Sequence, residues 1–286
     1  MTTNDLKLIE CPRDAMQGWQ HYIPTEKKIK YINALLGVGF DTIDFGSFVS
    51  PKAIPQMADT VEVLKGLKMT NSKTKLLAII ANFRGATDAL VFDEVSYLGF
   101  PFSISETFQQ RNTNSSILHS FDTVSNIQNL CVKNNRQLVV YISMGFGNPY
   151  GDPYDESIVF EWVNKIAALN IQIISLADTV GVATKEQVHS ITKYVTGALP
   201  AVEIGVHLHS APHNRLQKLD AALEAGCKRF DAAIKGIGGC PMAGDDLVGN
   251  MDTEIMIKQF QRSGYNININ FDQLAKCTQL ASEIFI

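Results

Sequence analysis

The sequence lacks several features that would each assign it to a particular class of protein. Charged residues interrupt every apolar stretch, so no run is long enough for a membrane-spanning helix. Basic residues are not in excess, since 25 lysines and arginines face 29 aspartates and glutamates, for a formal net charge of −4. We therefore expect neither a nucleic-acid-binding surface nor a membrane partner.

Paired cysteines are also missing. The five cysteines stand at scattered positions, and no two form a Cys-x-x-Cys pair: Cys11, Cys131, Cys227, Cys240 and Cys277. An odd, scattered set is typical of reduced thiols. The N-terminal residues have no apolar core of the kind that a signal peptide needs. Together these features predict a cytoplasmic protein.

What the sequence does contain is typical of a folded α/β protein. Hydrophobic residues make up 45% of the 286 positions and charged residues 19%, which excludes a disordered chain. We expect one catalytic domain over residues 1–286, with a barrel at about 6–264 and a C-terminal helical extension at 271–286.

Short β-branched runs alternate with amphipathic stretches along the chain. The predicted strands are Leu6–Cys11, Thr42–Gly46, Lys75–Ala81, Tyr97–Ile104, Gln137–Phe146, Ile171–Ala177, Glu203–Ser210 and Arg229–Gly236. The predicted helices include Pro24–Leu36, Asp155–Ala168, Thr184–Leu199, Arg215–Ala225, Met251–Phe260 and Asp272–Ile286. Eight strands in this alternation predict a parallel sheet closed as a (β/α)8 barrel, or TIM barrel.

The competing architecture is a doubly wound open sheet. Such a sheet usually has a glycine-rich phosphate loop after its first strand, whereas here the first strand runs into Glu10-Cys-Pro-Arg-Asp14. The barrel is therefore favoured. In a barrel, catalytic side chains lie where the strands end at their carboxyl termini.

Two histidines near the end of the seventh strand suggest a metal site. His207 and His209 are two residues apart and so face the same side of the strand. With Asp14 and Asn250 they form a set of two imidazoles, one carboxylate and one amide oxygen. This set favours Mg²⁺ or Mn²⁺, with Zn²⁺ or Co²⁺ as alternatives. The simpler alternatives are histidines bonded to the backbone, Asp14 as a turn or helix cap, and Asn250 as the N-cap of Met251–Phe260.

Two further residues have chemistry suited to such a site. Arg13 is adjacent to Asp14 and could stabilise an enolate or carbonyl oxygen, or else form a buried ion pair with Asp44 or Asp178. Cys240 stands in the glycine-rich segment Gly236-Ile-Gly-Gly-Cys-Pro241, which is typical of a mobile lid. Its thiol could serve as an acid or a base, or simply fill apolar space.

Taken together, these motifs resemble the 3-hydroxy-3-methylglutaryl-CoA (HMG-CoA) lyases, a family of metal-dependent barrels. The motifs are Pro12-Arg-Asp14 with Gln17, Ser47-Phe-Val-Ser-Pro-Lys-Ala-Ile-Pro-Gln56, Leu176-Ala-Asp-Thr-Val-Gly181, His207-Leu-His209, Gly238-Gly-Cys-Pro241 and Gly249-Asn250. The resemblance runs from about Leu6 to Glu254. It implies metal-assisted cleavage of HMG-CoA to acetoacetate and acetyl-CoA, in leucine breakdown. Barrels of this kind often pair, so a homodimer is one expectation.

The resemblance also implies roles for individual residues. Arg13 would stabilise the enolate of acetyl-CoA, Cys240 would protonate its carbon, and Asp14 or His207 would be the base. Supporting or substrate-contacting residues would be Gln17, Asp44, Ser47, Ser175, Asp178, Thr179 and Glu254, and the lid glycines would be Gly238, Gly239 and Gly249.

The chain departs from the family pattern at three places, which concern acyl specificity more than reaction type. Asp44 stands where the better-known lyases have glutamate, the lid contains Asp245 and Asp246, and Ser210-Ala-Pro-His-Asn214 follows the histidines. Three alternatives remain. One is a Claisen-condensing acyltransferase of the isopropylmalate or citramalate synthase type, and another is a 4-hydroxy-2-oxo acid aldolase. The third is a barrel that binds metal or acyl-CoA without turnover.

Overall fold

Eight parallel strands form a closed barrel in the computed structural model, which describes residues 6–70, 72–239 and 248–286. The strands are β1 Lys7–Glu10, β2 Thr42–Ser47, β3 Lys75–Ile79, β4 Val95–Ser103, β5 Gln137–Ser143, β6 Ile173–Asp178, β7 Glu203–Leu208 and β8 Arg229–Ala232. Each strand pairs with the next, and β8 pairs with β1 to close the sheet. The predicted (β/α)8 barrel is confirmed.

Eleven helices occur in the same described residues, most of them on the outside of the barrel between successive strands. They are α1 Pro12–Gln17, α2 Thr25–Leu36, α3 Thr60–Lys65, α4 Phe83–Ala89, α5 Glu106–Thr113, α6 Ile117–Lys133, α7 Glu156–Ala167, α8 Lys185–Ala198, α9 Arg215–Glu224, α10 Thr253–Arg262 and α11 Phe271–Ile284. The C-terminal helix α11 packs against α2, where Gln273 donates a hydrogen bond to the carbonyl of Ala34.

Capping side chains determine where several helices begin. Asp155 accepts a hydrogen bond from the backbone of Ile158 and so starts α7. Thr184 and Gln187 form a reciprocal capping box at the start of α8. These helices begin one residue later than predicted, because the predicted first residue is the cap.

Left-handed backbone conformations end two strands earlier than the sequence predicted. Met144 has φ of 59° directly after β5, which had been expected to continue to Phe146. Lys235 and Gly236 have φ of 62° and 66°, so the chain leaves β8 through a short 3₁₀ turn at Ile234–Gly236. A strand cannot continue through such angles, and the polar mouth of the barrel begins at these points.

The start of α10 corrects one expectation. The sequence offered Asn250 as an N-cap, but Asp252 caps α10 by accepting a hydrogen bond from the backbone of Ile255 at 2.9 Å. Asn250 instead forms an isolated bridge with His209. The side chain of Asn250 is therefore free of the capping role and points toward Asp14 in α1.

The apolar core has two parts. The larger part lies between the sheet and the surrounding helices. The smaller part fills the barrel interior with Leu77, Ile79, Tyr97, Val139, Tyr141 and Ile173. This inner cluster comes only from β3 to β6, whereas the interior positions of the other strands include polar side chains such as Asp44 and His207. No helix among the described residues is both long enough and apolar enough to cross a bilayer.

Candidate active site

A cavity of about 140 Å³ opens at the carboxyl end of the barrel strands. Its polar lining consists mainly of Arg13, Asp14, Gln17, Asp44, Asn112, Ser143, Thr179, His207 and His209. Its apolar lining includes Val49, Ile54, Ile79, Ala81, Pro101, Phe108 and Tyr141. Seven of the predicted site residues therefore meet in one space: Arg13, Asp14, Gln17, Asp44, Thr179, His207 and His209.

The two histidines turn toward each other. His207 ends the inward-facing row of β7 and His209 follows one residue after the strand, and their Nε2 atoms are 3.2 Å apart. Each outer nitrogen has its own acceptor: Nδ1 of His207 faces Asp231 at 3.2 Å, and Nδ1 of His209 faces the carbonyl of Thr179 at 2.8 Å. Since both acceptors are oxygens, the Nδ1 atoms carry the protons and the Nε2 lone pairs point into the site.

Asp14 lies in α1, directly after β1, and faces the same space. Its Oδ1 accepts hydrogen bonds from Arg13 at 3.0 Å and Gln17 at 2.9 Å, and its Oδ2 accepts one from Asn250 at 2.7 Å. Burial opposes ionisation of this carboxyl. The charges of Arg13 and both histidines and the hydrogen bond from Asn250 outweigh burial and lower its pKa to about 2.

These donors fit a divalent cation. A carboxylate oxygen of Asp14 and one ring nitrogen each from His207 and His209 all lie within 4.8 Å of one another. Burial, followed by the charge of His207, lowers the pKa of His209 to about 4, so its ring is neutral at pH 7, as a ligand must be. The hydrogen bonds at both Nδ1 atoms are the outer contacts that orient histidine ligands in metal sites.

Asn250 is adjacent to this set, although its contacts are with its amide nitrogen. That nitrogen donates to Asp14 and, at 2.9 Å, to the carbonyl of Ile237. The side chain is buried and rigidly placed, with its carbonyl oxygen on the opposite side of the amide. The structure thus shows Asn250 orienting Asp14. Its predicted role as a fourth ligand remains a prediction.

Arg13 is held between two carboxylates. Its Nε and Nη2 donate to Asp44, and its Nη1 donates to Asp14. A guanidinium has five N–H groups, so two remain for a ligand in the cavity. Of the two pairings that the sequence left open for Arg13, the structure shows the one with Asp44.

The two carboxylates beside Arg13 differ in acidity. Burial, reinforced by the charges of Asp14 and Asp231, raises the pKa of Asp44 to about 6, although Arg13 acts in the opposite direction. Both carboxylates are ionised at pH 7, but Asp44 takes up a proton first as the pH falls. Asp14 keeps its charge throughout the physiological range.

Asp178 lies behind the barrel wall and not in the cavity. It receives a hydrogen bond at 2.6 Å from Lys218, a buried lysine on α9, and another from the backbone of Ala183. Lys218 also donates to the carbonyls of Gly181 and His209, at 2.9 and 3.0 Å. The pair therefore fixes the ends of β6 and β7, including the backbone of a histidine of the site.

The other predicted supporting residues also contact neighbours other than Arg13. The Ser47 hydroxyl accepts from the backbone of Val49 at 3.3 Å, and Glu254 accepts from the backbone of Lys235 at 3.0 Å. Thr179 holds His209 through its carbonyl and Met144 through its hydroxyl. Ser175 is fully buried inside the barrel. Among these residues, only Thr179 lines the cavity.

Hydrogen bonds to Glu10 hold both ends of the segment between β8 and α10. Glu10 on β1 accepts hydrogen bonds from the backbone of Ile234 at 2.8 Å and from the hydroxyl of Thr253 at 2.6 Å. Gly238 has φ of 106°, and a Cβ there would come within 2.7 Å of the Asn250 amide nitrogen. This position therefore requires glycine.

Two more of the predicted lid glycines fall at this segment. Gly239 has φ of 127°, and a Cβ at Gly249 would meet the carbonyl oxygen of Gly236 at 2.6 Å. Residues 240–247 lie outside the described part of the chain, so the predicted roles of Cys240, Asp245 and Asp246 remain predictions.

Sequence reasoning missed two residues that hold the site together. Asp231 could have been found, because it is an acid inside a short apolar strand and its register partner is His207. Lys218 gave no such signal, since a lysine in an amphipathic helix usually faces solvent.

Comparison with known proteins agrees with this geometry. A family model described as HMGL-like matches residues 7–281. Hydroxymethylglutaryl-CoA lyase YngG of Bacillus subtilis is 31% identical over 272 residues, which cover 95% of this chain and 90% of the relative. The mitochondrial hydroxymethylglutaryl-CoA lyase of Macaca fascicularis is 33% identical, with 94% of this chain and 82% of the relative covered.

A solved structure is also closely similar. It is that of an HMG-CoA lyase from Acinetobacter baumannii in complex with coenzyme A and 3-methylmalate, with a TM-score of 0.92 and 32% identity. The match covers 100% of this chain and 92% of that one. The N-terminal domain of a putative aldolase from Bacteroides vulgatus is only 16% identical, with a TM-score of 0.68, and shares the fold alone.

Proposed function

The chain belongs to the HMGL-like family, and on that premise we propose that it is a carbon–carbon lyase that cleaves HMG-CoA to acetoacetate and acetyl-CoA. In this reaction the tertiary hydroxyl of the substrate loses its proton and becomes the ketone of acetoacetate. The bond between C2 and C3 breaks, and its electron pair forms the enolate of acetyl-CoA. A proton then adds to the enolate carbon.

The observation that carries the proposal is the meeting of Arg13 with Asp14, His207 and His209 in one cavity. A carbonyl that becomes an enolate gains negative charge on its oxygen. The two remaining N–H groups of Arg13 are suited to stabilise that charge, and Asp44 holds the guanidinium in place for it.

Asp14, His207 and His209 would hold the divalent metal, and we propose Mg²⁺ or Mn²⁺, with Zn²⁺ or Co²⁺ as alternatives. When bound, the metal acts as a Lewis acid that makes the substrate hydroxyl easier to deprotonate. Asn250 is proposed as the remaining protein ligand, through its amide oxygen.

We propose Asp14 or His207 as the base that takes the proton of the substrate hydroxyl. In a metal site of this form both ring nitrogens of His207 are occupied, because Nδ1 already faces Asp231. The four lone pairs of Asp14 are engaged as well, because three accept hydrogen bonds from neighbouring side chains and the fourth would bind the metal. For the final protonation of carbon we propose Cys240, on the basis of the resemblance.

The cavity suits the acyl end of the substrate. Its volume of about 140 Å³ is well below the roughly 300–1,000 Å³ typical of pockets for drug-sized ligands. The acyl group would therefore enter between Arg13 and the histidines, and the coenzyme A portion would extend out of the barrel mouth. Apolar side chains such as Val49 and Ile54 would contact the methyl group.

The test is acetoacetate release from HMG-CoA by purified protein with Mg²⁺ or Mn²⁺ and then with EDTA. We expect product that depends on the metal. The matched control is His209→Ala, which should lose stoichiometric metal and activity together. No product from folded, metal-loaded protein would contradict the proposal, and the condensing acyltransferase and aldolase reactions would then be assayed with acyl-CoA and 2-oxo acid pairs.

We also propose a role in leucine breakdown, a cytoplasmic location and a homodimeric state, as the family resemblance and the reduced cysteines suggested. Light scattering of the purified protein would test the dimer. Fractionation of cells that produce the protein would test the location. Growth on leucine as carbon source after deletion of the gene would test the pathway.

A further inference from the structure

A row of polar positions crosses the barrel interior below the histidines. Tyr141 on β5, Ser175 on β6, Gly205 on β7 and Arg229 on β8 are successive Cα partners in the sheet. Partners in parallel strands face the same side, and Tyr141 faces the cavity. Arg229 therefore points into the barrel, where it lies across Gly205: a Cβ on that glycine would meet the Arg229 side chain at 3.0 Å.

Several polar atoms in this interior have no hydrogen-bond partner among the described residues. They are the hydroxyl oxygens of Tyr141 and Ser175, the Nε and Nη2 of Arg229, and the Oδ1 of Asp231. These are five of the nine unpartnered buried side-chain atoms in the described chain. Leaving one such group unsatisfied costs about 1–3 kcal/mol, so a concentration of five predicts a bound ligand.

The charges around this interior identify the ligand as neutral. Arg229 donates to Glu203 at 3.1 Å, and Asp41 lies 3.9 Å away. Asp231 is already paired with His207 through its Oδ2. The charge of Asp231 also acts on Arg229, so the guanidinium already has carboxylates around it and the carboxylate already has a cation nearby, and a further ion would disturb the balance. The ligand must donate to Asp231 and accept from Arg229, and water does both.

We propose that bound water inside the barrel joins Arg229 to Asp231, and that Arg229 is thereby a positioning residue for His207. Ser175 and Tyr141 would complete the hydrogen bonds of the same water. The positioning part of this inference rests on the proposed metal site, whereas the water itself does not.

The proposed water would affect the metal site through the carboxylate of Asp231. Asp231 holds the proton on Nδ1 of His207 and so leaves Nε2 free to face His209. With only one oxygen held, the Asp231 carboxylate can rotate. Water anchored by Arg229 would hold the second oxygen, which fixes the carboxylate and the imidazole together.

The first test is a crystal structure of the unmodified protein at a resolution that shows ordered water. We expect at least one water within hydrogen-bonding distance of both Asp231 Oδ1 and an Arg229 nitrogen. A dry interior, or a direct bond between Arg229 and Asp231, would overturn the inference. This result does not depend on catalysis or on metal.

The second test compares Arg229→Met with a control, Glu203→Gln, by titration of each metal-free protein with Mn²⁺. Both variants remove a contact of the same ion pair, but only the first removes the donor to the water. We expect Arg229→Met to raise the Mn²⁺ Kd by about 10–100-fold, as for other outer contacts of metal ligands, and Glu203→Gln to change it less than threefold.

Equal loss in both variants, or no change in Arg229→Met, would overturn the positioning role. If Arg229→Met does not fold, the crystal structure of the unmodified protein decides the inference. Wild-type protein that binds Mn²⁺ but releases no acetoacetate would contradict the proposed function and leave this inference standing.

Discussion

Two buried ion pairs at the carboxyl ends of the strands have the same kinds of group but opposite surroundings. Asp44 and Arg13, at β2 and α1, line the cavity. Asp178 and Lys218, at β6 and α9, lie behind the barrel wall. The ammonium of Lys218 has three N–H groups and gives all of them to protein acceptors. Arg13 retains two of its five.

The difference lies in the hydrogen bonds that each cation has left, so we expect the Lys218 pair to serve architecture and the Arg13 pair to serve the proposed chemistry. Both pairs are similarly buried, so burial alone does not separate them. Substitution of the cation in each pair should therefore separate stability from catalysis.

The largest effect is expected from Lys218→Met. Removal of the ammonium leaves Asp178 as a buried, unpaired carboxylate, and we expect a loss of about 3–5 kcal/mol in the free energy of unfolding. Denaturant unfolding would measure it. Turnover per folded molecule should change less than tenfold. The double variant with Asp178→Asn should recover part of the stability. A Lys218→Met variant as stable as the wild type would show that the pair of Lys218 and Asp178 does not stabilise the fold.

The next effect is expected from Arg13→Gln. Loss of a donor to the enolate oxygen should lower kcat by about 10²–10³-fold, with little change in metal affinity. Steady-state kinetics at saturating metal would measure it, with the melting temperature as the control. A near-wild-type rate would show that Arg13 does not take part in the reaction. Both ion pairs would then serve only to stabilise the fold.

A third buried carboxylate, Glu10, has no basic partner among the described residues and so extends the comparison. Burial raises its pKa to about 8, against the lowering effect of the hydrogen bonds from Thr253 and Ile234. The folded state then binds this proton more tightly than the unfolded state, so the contribution of Glu10 to stability is complete below pH 4.5, is lost as the pH rises from there to about 8, and changes little above that.

The expected loss from Glu10 is about 2 kcal/mol between pH 6 and pH 8. Denaturant unfolding at both values would measure it in the wild type and in Glu10→Gln, which should lose most of this dependence. The same slope in both proteins would show that another group is responsible.

The smallest effect is expected from Asp44→Glu, which restores the residue of the better-known lyases. The carboxylate charge is kept and the arm grows by one methylene, so kcat for HMG-CoA should change less than tenfold. Because the added methylene extends toward the cavity, the ratio of kcat/KM for HMG-CoA over a bulkier 3-hydroxy-3-alkylglutaryl-CoA should rise. A larger loss would mean that the position of the Arg13 guanidinium depends on aspartate.

The sequence predicted the residues that line the cavity, because local rules determine where they lie. The alternation of side chains along β7 placed both histidines on one face, and the ends of parallel strands placed Arg13, Asp14 and Asp44 beside them. The barrel itself followed from eight alternating elements. Each of these inferences uses a period or an order along the chain.

The ion pair of Lys218 and Asp178, behind the barrel wall, could not be predicted in the same way. Lys218 contacts Asp178 across 40 residues of sequence, and nothing in α9 distinguishes it from a solvent-facing lysine. The choice between Asn250 and Asp252 as a cap likewise depends on which of two similar side chains faces Asp14 in α1. Such choices are made by tertiary packing and not by local pattern.

The hydrogen bond from Asn250 to Asp14 has a consequence for biosynthesis. The two residues are 236 positions apart, on either side of the contact between β8 and β1. At roughly 5–20 residues per second, a ribosome makes Asn250 about 10–50 s after Asp14. The two histidines are made shortly before Asn250, so until then the nascent chain has Arg13, Asp14, His207 and His209 but not the amide that holds Asp14. The carboxylate of Asp14 therefore acquires its last hydrogen-bond donor only when synthesis has passed β8 and reached the start of α10.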